Sequence, residues 1–464
     1  MALNTQDEQL APALDEDQIG QAPLPVKEVK ALIEKSDALA LQELAKPLHE
    51  ADIADIVEQL SPSERPVFLT LIQQEFTPEV LSEISDTVRS DLLNDIPNER
   101  IAEVLEQLDT DDSVDILEDL DEVDQREVLD AFDDTAERRA IEEALTFPED
   151  SAGRLMQRQH IAVPEYWTVG RTIDYLRDNQ TLTSDFWEVF VVDPRYRPVG
   201  TLALSHVLRS SRETAVRDIM IIDQTLIPVE LDQEEVAYRF QQYNLISAAV
   251  VDPRGRLVGM ITVDDVVDVI NEEAQEDILA LAGVTESDVN TSIFQTTKTR
   301  FIWLLVNLAT AVLASLVIAI YETEIASLVA LAVLMPIVAS MGGNAGTQTL
   351  TVTVRSLATR DLSGANLRRV LNREVSVSFL NGILLAVIMG VISAVWFSSP
   401  GLGGVIAFAM VVNLIAAGVA GMLVPVVLDR LKIDPAVASS VFVTTITDIV
   451  GFFVFLGLAA YILL

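Results

Sequence analysis

Residues 436–464 read AVASSVFVTTITDIVGFFVFLGLAAYILL, an apolar run long enough to cross a lipid bilayer as one helix. Asp448 is the only Asp, Glu, Lys, Arg or His residue in this run, and a carboxylate at that depth in a membrane is costly. Ser440 and Thr444 precede it at four-residue intervals, so the three oxygen-bearing side chains share one helical face. The pattern predicts a hydrophilic stripe leading to a cation-binding carboxylate. The alternative is a structural pair with an asparagine of another helix: Asn307, Asn381 or Asn413.

The charge of the chain is divided unequally. Its 464 residues include 31 Lys or Arg and 71 Asp or Glu, a formal charge of -40. From Phe301 onward seven basic and seven acidic residues cancel, so all of the net charge lies before that residue. We therefore predict an integral membrane protein with a large acidic soluble part. Such a surface repels nucleic acid and attracts metal cations, and the absence of cysteine excludes thiolate metal sites and cysteine catalysis.

Apolar runs predict five membrane spans, which lie at about 301–320, 325–354, 373–397, 404–428 and 436–464. Five arginines fall in and beside the loop between the second and third spans, and Arg430 and Lys432 lie in the fourth loop. Because positively charged loops tend to stay in the cytoplasm, we expect the soluble part on that side as well. The first residues have neither a basic start nor an apolar core, so we expect no cleaved signal peptide.

The second span is too long for one straight crossing. It contains Pro336 and, at residues 341–348, the run MGGNAGTQ. Proline removes a backbone donor and glycines loosen a helix, so we predict a break whose freed carbonyl groups could coordinate a hard cation. The alternative is that the glycines let two helices approach closely.

A repeat marks the second soluble region. Residues 191–200 read VVDPRYRPVG and residues 250–259 read VVDPRGRLVG, each between amphipathic helices. The two units resemble a pair of cystathionine-β-synthase (CBS) domains, which often bind adenosine nucleotides such as ATP. The resemblance puts the ribose contacts of the second copy at Gly259, Thr262 and Asp265, although Thr262 and Asp265 would equally suit a helix start. The first copy departs from the pattern, with Gly200, Ala203 and His206 at the corresponding positions.

Residues 27–147 have the pattern of a helical domain. ADIADIVEQL from Ala51 and ERIAEVLEQL from Glu99 are alike, which predicts stacked helices in a small superhelix. Asp111 and Asp115 lie one helical turn apart in a run rich in carboxylates, so they could bind a divalent ion. A solvated acidic helix start is the alternative.

A third acidic feature follows the repeat, where Asp265, Asp268, Glu272 and Glu276 form one helical stripe. Like charges at that spacing weaken a helix unless something neutralises them, and no Lys or Arg occurs from Val263 to Thr297. Bound divalent cations would remove the repulsion, so the pattern favours a metal-sensing role.

Four motifs carry a wider resemblance: SAGRLM at 151–156, PIVASMGGNAGTQ at 336–348, RSLATRD at 355–361 and DPAVASSVFVTTITDIVG at 434–451. With them, residues 30–464 resemble the MgtE-type magnesium channels. The resemblance implies a homodimer in a bacterial inner membrane in which Asp448 of each copy holds hydrated Mg²⁺. It assigns Asp448 to the pore, and the hydroxyl stripe and the glycine-rich run of the second span add the other predicted pore residues: Thr444, Asn344, Gly342 and Gly343. It assigns these to regulatory Mg²⁺: Asp111, Asp115, Asp265, Asp268, Glu273, Glu276 and Asp277. Asn271, Glu272 and Gln275 vary that acidic pattern.

The predicted fold is multi-domain: an all-α cytoplasmic superhelical domain, an α/β CBS pair and an all-α transmembrane domain of five helices. The predicted boundaries are a disordered acidic tail at 1–26, a helical domain at 27–147, CBS domains at 148–215 and 216–271, a connecting helix at 272–299 and a pore domain at 300–464.

We predict a magnesium uptake channel that intracellular Mg²⁺ closes. A less selective carrier or exchanger for Co²⁺ or Mn²⁺ is the alternative within transport, because these ions share oxygen ligands and octahedral geometry with Mg²⁺. An alternative of another class is a membrane-anchored metal or nucleotide sensor that does not conduct. We expect no enzyme, because the three histidines lie outside the membrane half and no nucleophile and base are suitably spaced.

Overall fold

The computed structural model describes residues 25–72, 75–94, 96–179, 186–284, 293–362, 364, 366–437 and 439–464. Contacts divide the chain into two compact units, Met1–Val267 and Asp268–Leu464, which are described separately. The predicted disordered tail, 1–26, lies outside the described residues except for its last two positions.

The first unit begins with a series of short helices, several of which are capped by the residue just before them. Within the described residues they are α1 (Val26–Lys35), α2 (Ala38–Ala45), α3 (Glu50–Gln59), α4 (Arg65–Leu71), α5 (Pro78–Ser82), α6 (Asp86–Leu93), α7 (Asn98–Leu105), α8 (Thr110–Glu118), α9 (Glu122–Asp130) and α10 (Thr135–Ala144). Asp37, Asp121 and Asp134 accept hydrogen bonds from the first turns of α2, α9 and α10. An aspartate at this position satisfies backbone donors that have no partner inside the helix, so each start is fixed locally.

These helices share one hydrophobic core. The two similar decapeptides fall on α3 and α7, where Ile53, Ile56 and Val57 of one and Ile101 and Leu105 of the other are buried. Helices this short are marginal alone, so their stability comes from this shared burial. The prediction of an all-helical first domain is confirmed.

The repeat folds into two matching sheets. Between them and the helical domain lies α11 (Ala152–Leu155). The first copy contains β1 (Ala162–Pro164), α12 (Val169–Asp178), β2 (Glu188–Val192), β3 (Pro198–Ala203) and α13 (Leu204–Arg209). The second contains β4 (Leu226–Pro228), α14 (Gln233–Tyr243), β5 (Ser247–Val251), β6 (Leu257–Thr262) and α15 (Val263–Leu281). In both copies the first strand pairs in parallel with the second, which pairs antiparallel with the third.

The repeated DPR sequence builds the same turn twice. Asp193 accepts backbone hydrogen bonds from Arg195 at 2.8 Å and from Arg197 at 2.9 Å. Asp252 accepts the equivalent pair from Arg254 and Arg256, both at 2.9 Å. A short acidic side chain closing its own turn explains why the aspartate recurs at this position. The predicted CBS pair with small sheets is confirmed.

The second unit contains the apolar helices, and α15 passes from the first unit into it. They are α16 (Ile293–Ile320), α17 (Glu322–Ser327), α18 (Ala330–Ala358), α19 (Leu367–Trp396), α20 (Pro400–Arg430) and α21 (Ser439–Ile462). Among the described residues, all but the short α17 are long and apolar enough to cross a membrane, which confirms the five predicted spans. The predicted boundary at 271–272 falls within α15, so the second CBS domain and the start of the predicted connecting helix share one helix. That helix ends at Leu281, followed by Gly283 with a φ of +69°.

The predicted break in the second span is wrong. α18 is continuous from Ala330 to Ala358, with Pro336 inside it. Neighbouring helices can stabilise a membrane helix around a missing proline donor, and here α18 packs against both α20 and α21. The glycines instead provide close approach. A Cβ on Gly346 would lie 2.5 Å from the Val443 side chain, and one on Gly421 would lie 2.6 Å from the Gly346 carbonyl oxygen.

α20 is the central helix of this unit. It packs against α18, α19 and α21, and half of its most apolar stretch is buried. Small residues again bring the backbones together, since a Cβ on Gly403 would lie 2.5 Å from the Gly390 carbonyl oxygen of α19. Tight packing of small residues is the usual way in which membrane helices associate without a hydrophobic driving force.

Two adjacent glycines of α18 should respond differently to alanine. A Cβ on Gly342 would lie 2.2 Å from Asn413 Nδ2, whereas one on Gly343 meets only a Thr444 methyl at 3.8 Å. We expect Gly342→Ala to lower the free energy of unfolding by about 1–3 kcal/mol through overpacking. Gly343→Ala should not lower it, and thermal unfolding of both purified variants measures the difference. Equal melting temperatures for the two would contradict this packing.

Candidate metal sites

Asp448 lies in the middle of α21 and is half-buried. It forms no hydrogen bond or ion pair with any described residue, so the predicted alternative of a pair with Asn307, Asn381 or Asn413 is not seen there. Asn413 instead donates to the Val338 carbonyl at 2.9 Å. A carboxylate held in an apolar span without a protein partner is suited to meet a cation.

The other predicted pore residues are only partly brought together. Gly343 faces Thr444, while Gly342 is buried against Asn413 and Thr447. Asn344 is exposed on α18 in the single chain. Thr444 and Ser440 line a cavity of about 390 Å³ with Asn307, Trp303 and Arg300 of α16 and the residues that end α15. The hydroxyl stripe predicted from the sequence therefore borders an open volume.

A cluster of acidic side chains forms in the first unit, where the start of α8 meets the start of α15. We call Asp109, Asp111, Asp112, Asp264 and Asp265 the acidic cluster. Burial, followed by the charge of Asp265, raises the pKa of Asp112 to about 7. Burial likewise raises the pKa of Asp265 to about 7, and burial and the charge of Asp265 raise that of Asp111. Carboxyl groups that hinder one another's ionisation favour a divalent cation between them.

The acidic cluster offers a cation only one kind of ligand. All are carboxylates, the ligands that Mg²⁺ prefers, and Asp111 Oδ1 is buried without a hydrogen-bond partner among the described residues. Within those residues, however, no three His, Cys, Asp or Glu side chains converge closely enough to form a complete metal site. The cluster therefore suits a hydrated ion that keeps most of its water ligands.

Asp115 has a different environment from Asp111. The guanidinium of Arg89, which is 2% exposed, contacts Asp115 at 2.8 Å, Asp119 at 2.5 Å and Asp86 at 2.9 Å. A buried arginine needs such compensation, so these carboxylates act first as its counter-ions. Asp115 was predicted as a metal ligand because it lies one turn from Asp111, and spacing alone could not reveal Arg89 beside it.

The remaining predicted regulatory residues lie along α15 in the second unit. Asp268 and Glu276 are exposed, and Glu273 and Asp277 are half-buried. Burial and the nearby charge of Asp434 raise the pKa of Asp277. Asp434 lies in the segment that leads into α21, so two carboxylates face each other between α15 and the approach to the helix that carries Asp448. Asp434 was not predicted, and neither were Asp109, Asp112 and Asp264. The acidic run 109–115 was a signal for two of these, but nothing in the sequence paired Asp277 with Asp434.

The predicted nucleotide residues are engaged with each other. Thr262 Oγ1 donates to Asp265 Oδ2 at 2.6 Å, and the Thr262 backbone N–H donates to the same oxygen at 3.2 Å. The second of these is a common capping hydrogen bond, in which the side chain of the third helical residue accepts from the backbone N–H of the residue before the helix. In the first copy Ala203 occupies that place and offers no side-chain cap.

Family models match the chain in three regions. The model of a divalent cation transporter matches residues 335–458, that of the MgtE intracellular N domain residues 48–150, and that of the CBS domain residues 216–272.

Similar proteins extend over more of the chain. The magnesium transporter MgtE of Thermus thermophilus is 34% identical over 436 residues, which are 93% of this chain and 97% of that protein. The magnesium transporter MgtE of Bacillus subtilis is 30% identical over 323 residues, 69% of this chain and 71% of that one. A solved structure, the cytosolic domain of the Mg²⁺ channel MgtE in complex with ATP, is 31% identical with a TM-score of 0.49, covering 53% of this chain and 99% of its own.

The acidic cluster should make stability depend on pH when divalent ions are removed. Because the pKa of Asp112 is about 7 in the folded protein and about 4 when unfolded, folding favours its protonated form. Its contribution to stability is present below about pH 4 and is lost as the pH rises towards 7. In EDTA, the melting temperature of the parent protein should therefore fall as the pH rises from about 4 to 7, and Asp112→Asn should make that fall smaller. The exposed carboxylate variant Asp55→Asn is the control, and parallel curves for all three proteins would contradict the prediction.

Proposed function

The chain belongs to the MgtE family of magnesium transporters, and from that premise we propose that it is a passive Mg²⁺ channel that intracellular Mg²⁺ closes. It is a multi-pass membrane protein, with five apolar helices among its described residues. The proposed location is the inner membrane of a bacterial cell, with the acidic domains in the cytoplasm. The membrane potential contributes roughly 4.6 kcal/mol per 100 mV to the entry of a divalent cation, so conduction needs no further energy source.

Asp448 carries the proposal. It is the one Asp, Glu, Lys, Arg or His side chain of its span, and no described residue neutralises it. Mg²⁺ gives up its water reluctantly and binds best to one or two carboxylates with several waters retained. In a homodimer, a two-fold axis beside α21 would supply two Asp448 carboxylates from one position in the sequence. This is the reason to propose the dimer. Thr444, Gly343, Gly342 and Asn344 are the proposed neighbours along the ion path.

Closure by intracellular Mg²⁺ is supported by the carboxylates of each unit taken separately. In the first unit the acidic cluster combines residues of the helical domain with the start of α15. In the second, the charges of Asp277 on α15 and of Asp434, in the segment that leads into α21, act on each other. Bound Mg²⁺ would neutralise each group and hold its members together, while loss of the ion would leave like charges facing one another. We include Asp268, Glu273 and Glu276 of α15 in the same proposal. Asp115 is included less directly, as a counter-ion of Arg89 beside the cluster.

Nucleotide is proposed as a second regulator at the second CBS copy. Thr262 and Asp265 stand at the end of β6 and the start of α15, where the family resemblance puts the ribose contacts. Since Asp265 also belongs to the acidic cluster, ATP there would act on the same helix as Mg²⁺.

Selectivity separates the main proposal from its alternatives. Co²⁺ and Mn²⁺ accept the same oxygen ligands, so a less selective carrier would transport them at rates comparable to Mg²⁺. A sensor without conduction would bind metal or nucleotide and transport none of these ions. Fluorescent-dye uptake assays in proteoliposomes, run with each ion in turn, distinguish the three.

Replacing the membrane carboxylate should stop transport without unfolding the protein. We expect Asp448→Asn to reduce Mg²⁺ uptake into proteoliposomes by at least about tenfold, because a neutral amide replaces a charged ligand. Asp429→Asn, which changes a carboxylate at the end of α20, is the matched control and should transport normally. Near-normal uptake by Asp448→Asn would remove Asp448 from the ion path.

Removing a charge from the acidic cluster should weaken closure and leave the open pore unchanged. In patches with the cytoplasmic face exposed, Asp111→Asn should raise the internal Mg²⁺ concentration for half-closure by about fivefold or more. Asp265→Asn should act in the same direction, whereas the exposed Asp55→Asn should match the parent protein. Identical closure curves for Asp111→Asn and the parent would exclude the cluster as the sensor.

A further inference from the structure

Asn413 is an amide in the middle of α20 that is completely buried. Its Nδ2 donates to the Val338 carbonyl of α18 at 2.9 Å. Both helices are membrane spans, so this hydrogen bond joins them in surroundings where an unpaired amide is costly.

Glycines on two other helices make room for this amide. A Cβ on Gly342 of α18 would lie 2.2 Å from Asn413 Nδ2, and a Cβ on Gly451 of α21 would lie 2.8 Å from the same atom. Three spans therefore meet at one side chain. Because real Cβ atoms do not approach other atoms so closely, neither glycine accepts a larger residue without displacing Asn413.

The amide also carries a cost. Asn413 Oδ1 is buried and has no hydrogen-bond partner in the described part of the chain. An unsatisfied buried acceptor costs about 1–3 kcal/mol, and a leucine of similar size would avoid that cost. Stability alone does not explain why asparagine occupies this position. Its effect on the placement of the neighbouring helices is the better explanation.

The neighbouring segment that Asn413 helps to place is the turn of α21 that carries Asp448. Thr447 packs on Gly342, where a Cβ would lie 3.1 Å from the Thr447 Cβ, and Gly451 packs on Asn413. Asp448 lies between these two contacts along the helix. The contacts fix both the height of this turn in the membrane and its rotation about the axis of α21.

We propose that Asn413 is a positioning residue for the ion path, which holds α21 at the height and rotation that present Asp448 to the ion. The inference rests on the proposed role of Asp448 and adds a residue on a different helix. It also gives a specific reason for Gly342, which makes room for the amide.

Thiol labelling tests the geometry without relying on transport. The chain has no cysteine, so Asp448→Cys introduces a single reactive thiol. Its rate of modification by a charged methanethiosulfonate reagent in proteoliposomes should change by about threefold or more when Asn413→Leu is added, because the turn moves relative to water. Ser393→Ala is the matched control, since Ser393 is an equally buried side chain of α19 whose hydroxyl has no partner among the described residues. An unchanged rate with Asn413→Leu would overturn the proposal.

Transport provides the second measurement. In the chain with Asp448 intact, Asn413→Leu should raise the half-saturating Mg²⁺ concentration by about fivefold and lower the preference for Mg²⁺ over Na⁺. A role in packing alone would reduce the number of active molecules and leave both quantities unchanged. If Asn413→Leu does not give a folded protein, Asn413→Ser is measured in the same two assays and decides by the same criteria.

The two proposals fail in different ways. Normal uptake by Asp448→Asn would refute the assignment of Asp448 itself. Loss of uptake in Asp448→Asn together with unchanged labelling and half-saturation in the Asn413 variant would refute only the positioning role.

Discussion

One carboxylate inside an apolar helix is the constraint on which the rest of this molecule depends. Moving Asp448 out of water costs several kcal/mol unless a cation meets it, so the surrounding helices must keep it accessible to an ion and shielded from lipid. α20 meets this demand by packing against α18, α19 and α21 at once. Glycines allow the close approach, and the Asn413 amide fixes where three of the helices meet. The transmembrane half is thus a scaffold that holds one charge at a defined height.

The acidic half of the chain applies the same physics outside the membrane. Burial and neighbouring charges raise the pKa of Asp111, Asp112 and Asp265 at the starts of α8 and α15, and burial and the charge of Asp434 raise that of Asp277. Such groups are stable together only when a proton or a metal ion neutralises them. Where an arginine is available the outcome differs, since the guanidinium of Arg89 lies 2.8 Å from Asp115 and acts as its counter-ion. The ion that the pore is proposed to conduct is therefore also the ion best suited to relieve the repulsion among the cytoplasmic carboxylates.

Features with a strong local signal could be read from the sequence. Long apolar runs gave the five spans, and the repeated DPR turn gave the paired sheets, because each depends on neighbours along the chain. Contacts between distant residues could not be read in this way. The break predicted at Pro336 is absent because α20 and α21 support α18, and Gly342 provides space for an amide 71 residues away. Arg89 beside Asp115 and Asp434 beside Asp277 were missed for the same reason, since a helical period places residues on a face and does not say what that face meets.

The measurement that tests the account most directly is the Mg²⁺ current of the purified protein in a planar bilayer, with Mg²⁺ varied separately on each side. For a passive path selective for a divalent ion, the reversal potential should shift by about 30 mV for each tenfold change in the Mg²⁺ gradient. The current should also fall as Mg²⁺ on the side of the acidic domains rises from near zero to millimolar levels. No current at any Mg²⁺ concentration, or a reversal potential that ignores the Mg²⁺ gradient, would contradict the account.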